Sequence, residues 1–451
     1  MQLKNKISII IIVNMDFVLN IKRYLSDDFV KELIEALDKE KTNSLILNTK
    51  KITNQKFIEK FPKVIPHPFL ENVYYYSKKD YEFGKSFLFD NGAYYIMDAS
   101  SLLVSKYLEI EDGDNVLDMC AAPGGKSISL CLENLDKNFE IIANDISYKR
   151  SLELSKNIEH LGLSNVIVTS NNLSQIYKNY KEKFNKIILD APCSGSAMFR
   201  KNDLAKSDWA IEKVNACALL QKELLEEAIY MLEDGGLISY STCSFSYEEN
   251  EEVILSVIQN HPEISLVKIE ENPKFYRTKE LPEAIHLFPN LYDGEGQFIC
   301  ILKKRESNIK NKKLNSKTVF KNEFEKSILK NDFEKVNLNF KFQKSINNTI
   351  YLYNNELDLK HFNVIRCGLE IGSTNKKLFI PSFHLAHFLY SENSIAIDEN
   401  EMKKYIHGEE IKKDLNLEKG FYVVSFEGIN LGFVKYSNGV LKNYYPKGLR
   451  H

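Results

Sequence analysis

Asn115–Lys126 reads NVLDMCAAPGGK, and the architecture of the chain turns on this stretch. Val116–Met119 is a short apolar run of strand character. Gly124 and Gly125 interrupt it, and Ile128, Cys131, Leu132 and Leu135 follow at i, i+3, i+4, i+7, the spacing of one apolar helix face. Strand, glycine turn and helix in that order set backbone N–H groups and a helix N-terminus at the carboxyl edge of a parallel sheet, where nucleotide-like ligands bind. Two nucleotide signatures are ruled out. A G-x-x-x-x-G-K-[ST] loop ending at Ser127 needs glycine at 120, which is Cys120, and G-x-G-x-x-G does not occur. About 20 residues past the turn, Ile141–Ile146 (IIANDI) contains Asp145, whose carboxylate can accept hydrogen bonds from ribose hydroxyls. An ordinary α/β turn with a surface aspartate gives the same pattern, so this unit alone leaves both readings open.

Onward from there, strands and helices alternate. Helix Ser147–Leu161 ends at Gly162, strands cover Val166–Thr169 and Ile187–Leu189, and a long helix over about Asn215–Leu232 stops at Gly235–Gly236 before strand Leu237–Tyr240. The alternation predicts an α/β fold with a doubly wound parallel sheet. Two of these strands run into cysteines: Ile187–Gly195 is IILDAPCSG and Ile238–Ser244 is ISYSTCS. Cys193 and Cys243 are therefore expected at the same sheet edge as the glycine turn.

Upstream, Ser26–Glu40 is an amphipathic helix: Ser26 is its N-cap, two aspartates sit in the first turn, and Phe29, Val30, Leu33, Ile34 and Leu37 form its buried stripe. Ile7–Val13 is apolar but much shorter than the roughly 20 residues that span a bilayer, and no small-residue cleavage site follows it. Residues 1–14 read as an over-long start or a disordered extension, and residues 15–90 as a small N-terminal unit. Downstream of the region 91–302, residues 303–317 carry seven Lys or Arg against one Glu and read as a basic linker, equally suited to plain solvation and to RNA contact. Residues 318–388 hold aromatic strands and Val364–Gly372. In 389–451, alternating apolar residues, a turn at Asn438–Gly439 and the basic, tyrosine-bearing run Lys442–Arg450 predict a small β-barrel.

Composition bounds the function. A chain of 451 residues with 43 % hydrophobic and 27 % charged residues is globular and of several domains. A net charge of −2 excludes a uniformly basic coat but not local basic patches. Seven cysteines without C-x-x-C pairs fit a reducing cytoplasm better than a disulfide framework or a zinc site.

The motifs together, CAAPGGK (Cys120–Lys126), Asp145, DAPCSG (Asp190–Gly195), FRK (Phe199–Lys201) with Trp209, STCS (Ser241–Ser244) and EEN (Glu248–Asn250), closely resemble the RNA 5-methylcytosine methyltransferases, RsmF-type bacterial branch. The resemblance implies a Rossmann-like class I methyltransferase domain closed by an antiparallel pair reaching Leu302, an N-terminal RNA-binding subdomain, and a PUA-like RNA-binding module at the end. It implies S-adenosyl-L-methionine as cofactor, held by Cys120, Ala121, Ala122, Pro123, Gly124, Gly125, Lys126, Asp145, Asn172 and Asp190, and no metal. It implies RNA as partner, 16S rRNA or the small ribosomal subunit, with no membrane, no DNA and a monomeric enzyme.

Carbon 5 of cytosine is a poor nucleophile, and a thiolate added to carbon 6 activates it; this needs a low-pKa cysteine and a base presented out of its helix. First principles do not choose between the cysteines. By resemblance Cys243 is the nucleophile, Cys193 assists product release and Asp190 contacts the base; DNA enzymes of the same chemistry use the other cysteine, which leaves the exchanged assignment open. Cys131, Cys217, Cys300 and Cys367 read as inert and buried, and Cys120 as structural. Three departures stand out: Asn172 where the family carries an acid, CSGSA for CSGEG at Cys193–Ala197, and GEGQF for GEGHF at Gly294–Phe298. Ile46 stands where the family has Arg, while Asn48 and Lys50 keep the pattern of an RNA contact or of plain surface groups. Transfer RNA as substrate, or a non-catalytic assembly factor that kept the fold, are the competing readings.

Overall fold

The catalytic sheet is built on strands apolar enough to be buried on both faces, which is what a parallel sheet covered by helices requires. In the computed structural model, residues 15–201, 203–306, 340–375, 378–389 and 394–450 are described. The sheet has nine strands: β1 Asn115–Asp118, β2 Glu140–Asn144, β3 Val166–Thr169, β4 Phe184–Asp190, β5 Leu232–Thr242, β6 Ile264–Val267, β7 Ile285–Leu287, β8 Gln297–Lys304 and β9 Val364–Cys367. Their order is β6-β8-β5-β4-β1-β2-β3-β9, with β7 also on β8. The strands from β5 to β3 run parallel, and β8 closes antiparallel on β5. Leu117 lies between Ile142 and Ile187, all fully buried. The chain leaves β1 towards opposite halves of the sheet, so its carboxyl end is the switch point where a crevice opens. Helix α1 (Gly125–Glu133) starts there behind Gly124, whose φ of 117° is left-handed and suits only glycine.

Two expectations are corrected. The long helix α2 spans Ile211–Met231, and the strand begins at Leu232 rather than after the glycine pair. Leu232 already pairs with Phe184, the register then slips to Lys186–Leu237, and Gly235 at φ 79° absorbs the extra residues as a bulge. Val364–Cys367, read as part of the intermediate region, instead joins the methyltransferase sheet antiparallel to β3 and covers its open edge.

An N-terminal four-stranded antiparallel sheet holds Ile65–Pro66, Val73–Tyr76, Asn43–Leu47 and Tyr94–Ile96. Ser26 caps helix Asp27–Leu37 by accepting from Phe29 N–H. The preceding helix, Met15–Ile21, drives Phe17 among Phe199, Trp209 and Phe245, with ring centroids at 5.0, 5.5 and 6.5 Å. The C-terminal part has a four-stranded antiparallel sheet and a five-stranded sheet. Asn438 and Gly439 both take positive φ, as a two-residue type I′ hairpin demands. Tyr445 of the closing run is buried against Phe383 and Tyr405, whereas Lys442 and Lys447 are exposed. The expected extension at 1–14 and most of the basic linker lie outside the described residues.

The three parts meet at one joint. Asn48, 0 % exposed, donates to Gly92 O (3.2 Å) and Leu161 O (3.0 Å), and neighbouring Ile46 is also core, so neither faces solvent or RNA. Lys51 Nζ donates to Asn91 O (2.7 Å) and His387 Nδ1 (2.9 Å). Asn48→Leu should therefore lower stability by about 1–3 kcal/mol, the cost of leaving buried carbonyls unpaired, seen as a lower urea midpoint with RNA affinity of the folded protein unchanged. Weaker RNA binding at unchanged stability would reverse this reading.

Candidate active site

Five chain segments end at the crevice, and each brings one part of the site. From β1 and its turn, Ala121 N–H donates to Asn144 O (2.7 Å) and Gly124 N–H to Ala121 O (2.7 Å), which folds CAAPGG into a tight cradle. Ser127 Oγ donates to Asp118 Oδ2 (2.7 Å); the other oxygen of this buried acid has no hydrogen-bond partner, and burial raises Asp118 to about 7. Asn157 Nδ2 holds Pro123 O (2.9 Å), and Arg150 holds Ala122 O. At the end of β2, Asp145 accepts from Ser147 N–H (2.9 Å) and pairs with Arg150 (3.2 Å). The next residue, Ile146, is 69 % exposed, an apolar side chain left bare at the rim. Past β3, Asn172 is exposed and its Oδ1 accepts from Ser174 N–H (3.2 Å), capping the following turn.

From the ends of β4 and β5 come the cysteines. Cys193 and Cys243, fifty residues apart, lie with their sulfurs 2.9 Å apart as free, half-buried thiols. The hydrogen bond from Cys193 holds Cys243 below the ordinary thiol range against the opposing effect of burial, and the Lys126 ammonium pulls the same way. The same bond pushes Cys193 well above that range, and burial adds to it. Of the pair, Cys243 is therefore the one shifted towards the thiolate, the nucleophilic form. Lys126 Nζ pairs with Asp190 Oδ2 at 2.5 Å; burial opposes the lysine's charge, but Asp190 more than offsets it. Asp190 Oδ1 accepts from Ser241 Oγ (2.7 Å) and Gln297 Nε2 (2.9 Å).

The departures from the family pattern are now accounted for. Gln297, in place of His, steadies Asp190. Ser196, in place of Glu, accepts from Phe245 N–H (2.7 Å), and Ala197 N–H donates to Cys243 O (3.0 Å), so CSGSA stitches the two cysteine loops together. Arg200 of FRK pairs with Glu295 (3.3 Å), tying that motif to GEGQF. Of the remaining cysteines, Cys131, Cys300 and Cys367 are buried, and burial raises the half-buried Cys120 thiol. Cys217 differs from expectation: it is only half-buried, and burial lifts it to about 11. Sequence reasoning missed Arg150, Ile146, Ser241 and Gln297 as site residues. Ile146, an apolar residue just beyond a strand end, was the one with a readable signal. Among the described residues no group of three or more His, Cys, Asp or Glu is placed to hold a metal, and no helix is long and apolar enough to cross a membrane.

Comparison with known proteins agrees with this architecture. Residues 105–303 match the family model of the 16S rRNA methyltransferase RsmB/F, 13–99 the N-terminal domain of the 16S rRNA methyltransferase RsmF, and 392–451 the RsmF PUA domain. The chain is 30 % identical to a ribosomal RNA small subunit methyltransferase F of Shewanella piezotolerans, the match covering 97 % of each chain. It is 26 % identical to the corresponding protein of Vibrio cholerae, covering 96 % of each. A solved methyltransferase homologue from Pyrococcus horikoshii superposes with a TM-score of 0.56 at 28 % identity, over 63 % of this chain and 93 % of that one. The chain belongs to the RsmB/F family of 16S rRNA methyltransferases and carries the N-terminal and PUA domains of the RsmF branch.

Proposed function

We propose that this methyltransferase transfers a methyl group from S-adenosylmethionine to carbon 5 of a cytosine in RNA, with 16S rRNA as substrate, through a covalent bond between Cys243 and carbon 6. The observation that carries the reading is the pair of sulfurs 2.9 Å apart beside the Lys126–Asp190 ion pair. The residues at the turn suit the donor. A buried carboxylate oxygen of Asp118 without a partner, the Asp145 carboxylate and the bare side chain of Ile146 offer acceptors for hydroxyls and an apolar platform for a flat base. When bound, S-adenosylmethionine supplies an electrophilic methyl carbon.

The side chains divide the work. Cys243 thiolate forms the sulfur–carbon 6 bond, which moves electron density to carbon 5 and onto the ring nitrogen and carbonyl. The Lys126 ammonium balances that charge, and Asp190, fixed by three donors, accepts from the base's amino group and orients it. Once Cys243 is bonded to carbon, the main cause of the raised Cys193 pKa is gone. Cys193 can then pass its proton to solvent water and, as thiolate, take up the carbon 5 proton as the sulfur–carbon 6 bond breaks and Cys243 leaves as thiolate.

The N-terminal unit and the PUA domain would bind the RNA around the target, with exposed Lys442 and Lys447 meeting phosphates. The protein is proposed to act as a monomer in the cytoplasm. Purified protein incubated with S-adenosylmethionine and unmethylated 16S rRNA should yield 5-methylcytosine by nucleoside mass spectrometry. Transfer RNA methylated instead moves the substrate, and no methylated RNA of any class favours an assembly factor.

A further inference from the structure

Each cysteine is followed by a serine, and one buried carboxylate holds both serines. Glu249 is 0 % exposed and lies beneath the two loops. It accepts from Ser194 N–H (2.8 Å), Ser194 Oγ (2.5 Å), Ser244 Oγ (2.5 Å) and Gln221 Nε2 (3.1 Å). Gln221, on α2, also donates to Pro192 O (2.8 Å), and the two serine oxygens are 3.1 Å apart. The next residue, Asn250, extends the clasp to the second loop by accepting from Thr242 Oγ1 (2.6 Å) and donating to Ser244 O (2.9 Å). Burying a carboxylate is costly unless its lone pairs are filled, and four donors fill them here.

We propose that Glu249 is a positioning residue that sets the separation of the Cys193 and Cys243 sulfurs by clasping the serine after each. The proposal rests on the reading of those cysteines as the working pair. Glutamine at 249 is isosteric, but its amide nitrogen donates where the carboxylate accepted. That nitrogen faces either the two serine hydroxyls, which share Oε2, or Ser194 N–H and Gln221 Nε2, which share Oε1, and the clasp loosens.

Two readouts on the full-length protein test this: methyl transfer to 16S rRNA, and the rate at which diamide joins the two cysteines. In the second, the azo bond of diamide takes up two electrons and the two thiol protons as the S–S bond forms, read as a loss of two hydrogens on peptides containing residues 193 and 243. For Glu249→Gln, kcat should fall about 10²-fold, as for a misplacement near 1 Å, with both KM values within twofold and bridging slowed at least tenfold. Ser194→Ala and Ser244→Ala cut one arm each and should show the same two losses in smaller measure, which keeps the test open should Glu249→Gln fail to fold. Bridging at the wild-type rate in these variants overturns the proposal, whatever happens to kcat. Absence of methyl transfer by the wild type would instead sink the enzymatic reading, while the bridging rates still decide the clasp.

Discussion

Cys243→Ala should abolish methyl transfer, on the order of 10⁴-fold or more, and leave no RNA covalently attached, whereas Cys193→Ala should accumulate an RNA–protein adduct that survives denaturing gels. The asymmetry follows from the hydrogen bond between the sulfurs. Of the two, Cys243 is the one lowered and Cys193 the one raised, so the thiolate forms more readily at 243, where the Lys126 ammonium also favours it. Removing Cys193 takes away the main cause that lowers Cys243 and leaves burial and Asp190 opposing Lys126, so bond formation to carbon 6 slows; the step that needs a second sulfur is release, and the adduct still builds up. Removing Cys243 leaves Cys193 still raised by burial and by the Glu249 and Asp190 carboxylates, and no nucleophile in the free enzyme. Iodoacetamide at neutral pH should accordingly label Cys243 before Cys193. An adduct with Cys243→Ala and none with Cys193→Ala would exchange the two roles.

Between pH 7 and 5 the protein should lose stability, at most about 4 kcal/mol of it through two histidines of the joint. His384 and His387 are 0 % and 1 % exposed. His384 Nδ1 accepts from Arg366 Nη1 (2.7 Å) while its Nε2–H donates to Leu163 O (3.0 Å), and Arg366 is in turn paired with Glu159 (2.9 Å) and Glu370 (3.1 Å). His387 faces Lys51 and stacks near His160. Burial first, then the neighbouring cations, hold both well below the ordinary histidine value, so the folded protein keeps them neutral. The unfolded chain protonates them near pH 6.5, and below that it binds more protons than the folded one. Each histidine thus costs at most about 1.4 kcal/mol per pH unit below 6.5, and at most about 2 kcal/mol by pH 5, against a net stability of about 5–15 kcal/mol. Lys51, lowered by burial to about 7, acts in a different window: the unfolded lysine keeps its proton to about pH 10.5, so stability rises from pH 7 upward. Urea midpoints at pH 7 and 5 check the acid limb; a His384→Gln, His387→Gln double variant should show a clearly smaller difference, the remainder belonging to His160 and His67, which burial lowers to about 4. An undiminished difference would place the acid lability elsewhere.

Much of the catalytic half was legible in the chain because its signals are local. A glycine at Gly124, apolar runs of strand length and a 3.6-residue stripe after Lys126 are set by backbone sterics and periodicity within a dozen residues. A cysteine directly past each of two strands follows from the same arithmetic. Distances across the sheet are not local. That Cys193 and Cys243 meet at 2.9 Å, that Glu249 holds the serines beside them, and that Gln297 reaches Asp190 all depend on which strands become neighbours. Asn48 looked like a surface position in the pattern of an RNA contact, yet its bonds to Gly92 and Leu161 hold it buried, while Lys50 of the same pattern is exposed. Val364–Cys367 carried an ordinary strand pattern, and only the open edge of β3 decided which sheet it would complete. Strand propensity is a property of a few residues; the choice of partner is made by whatever hydrogen-bonding edge the rest of the fold leaves uncovered.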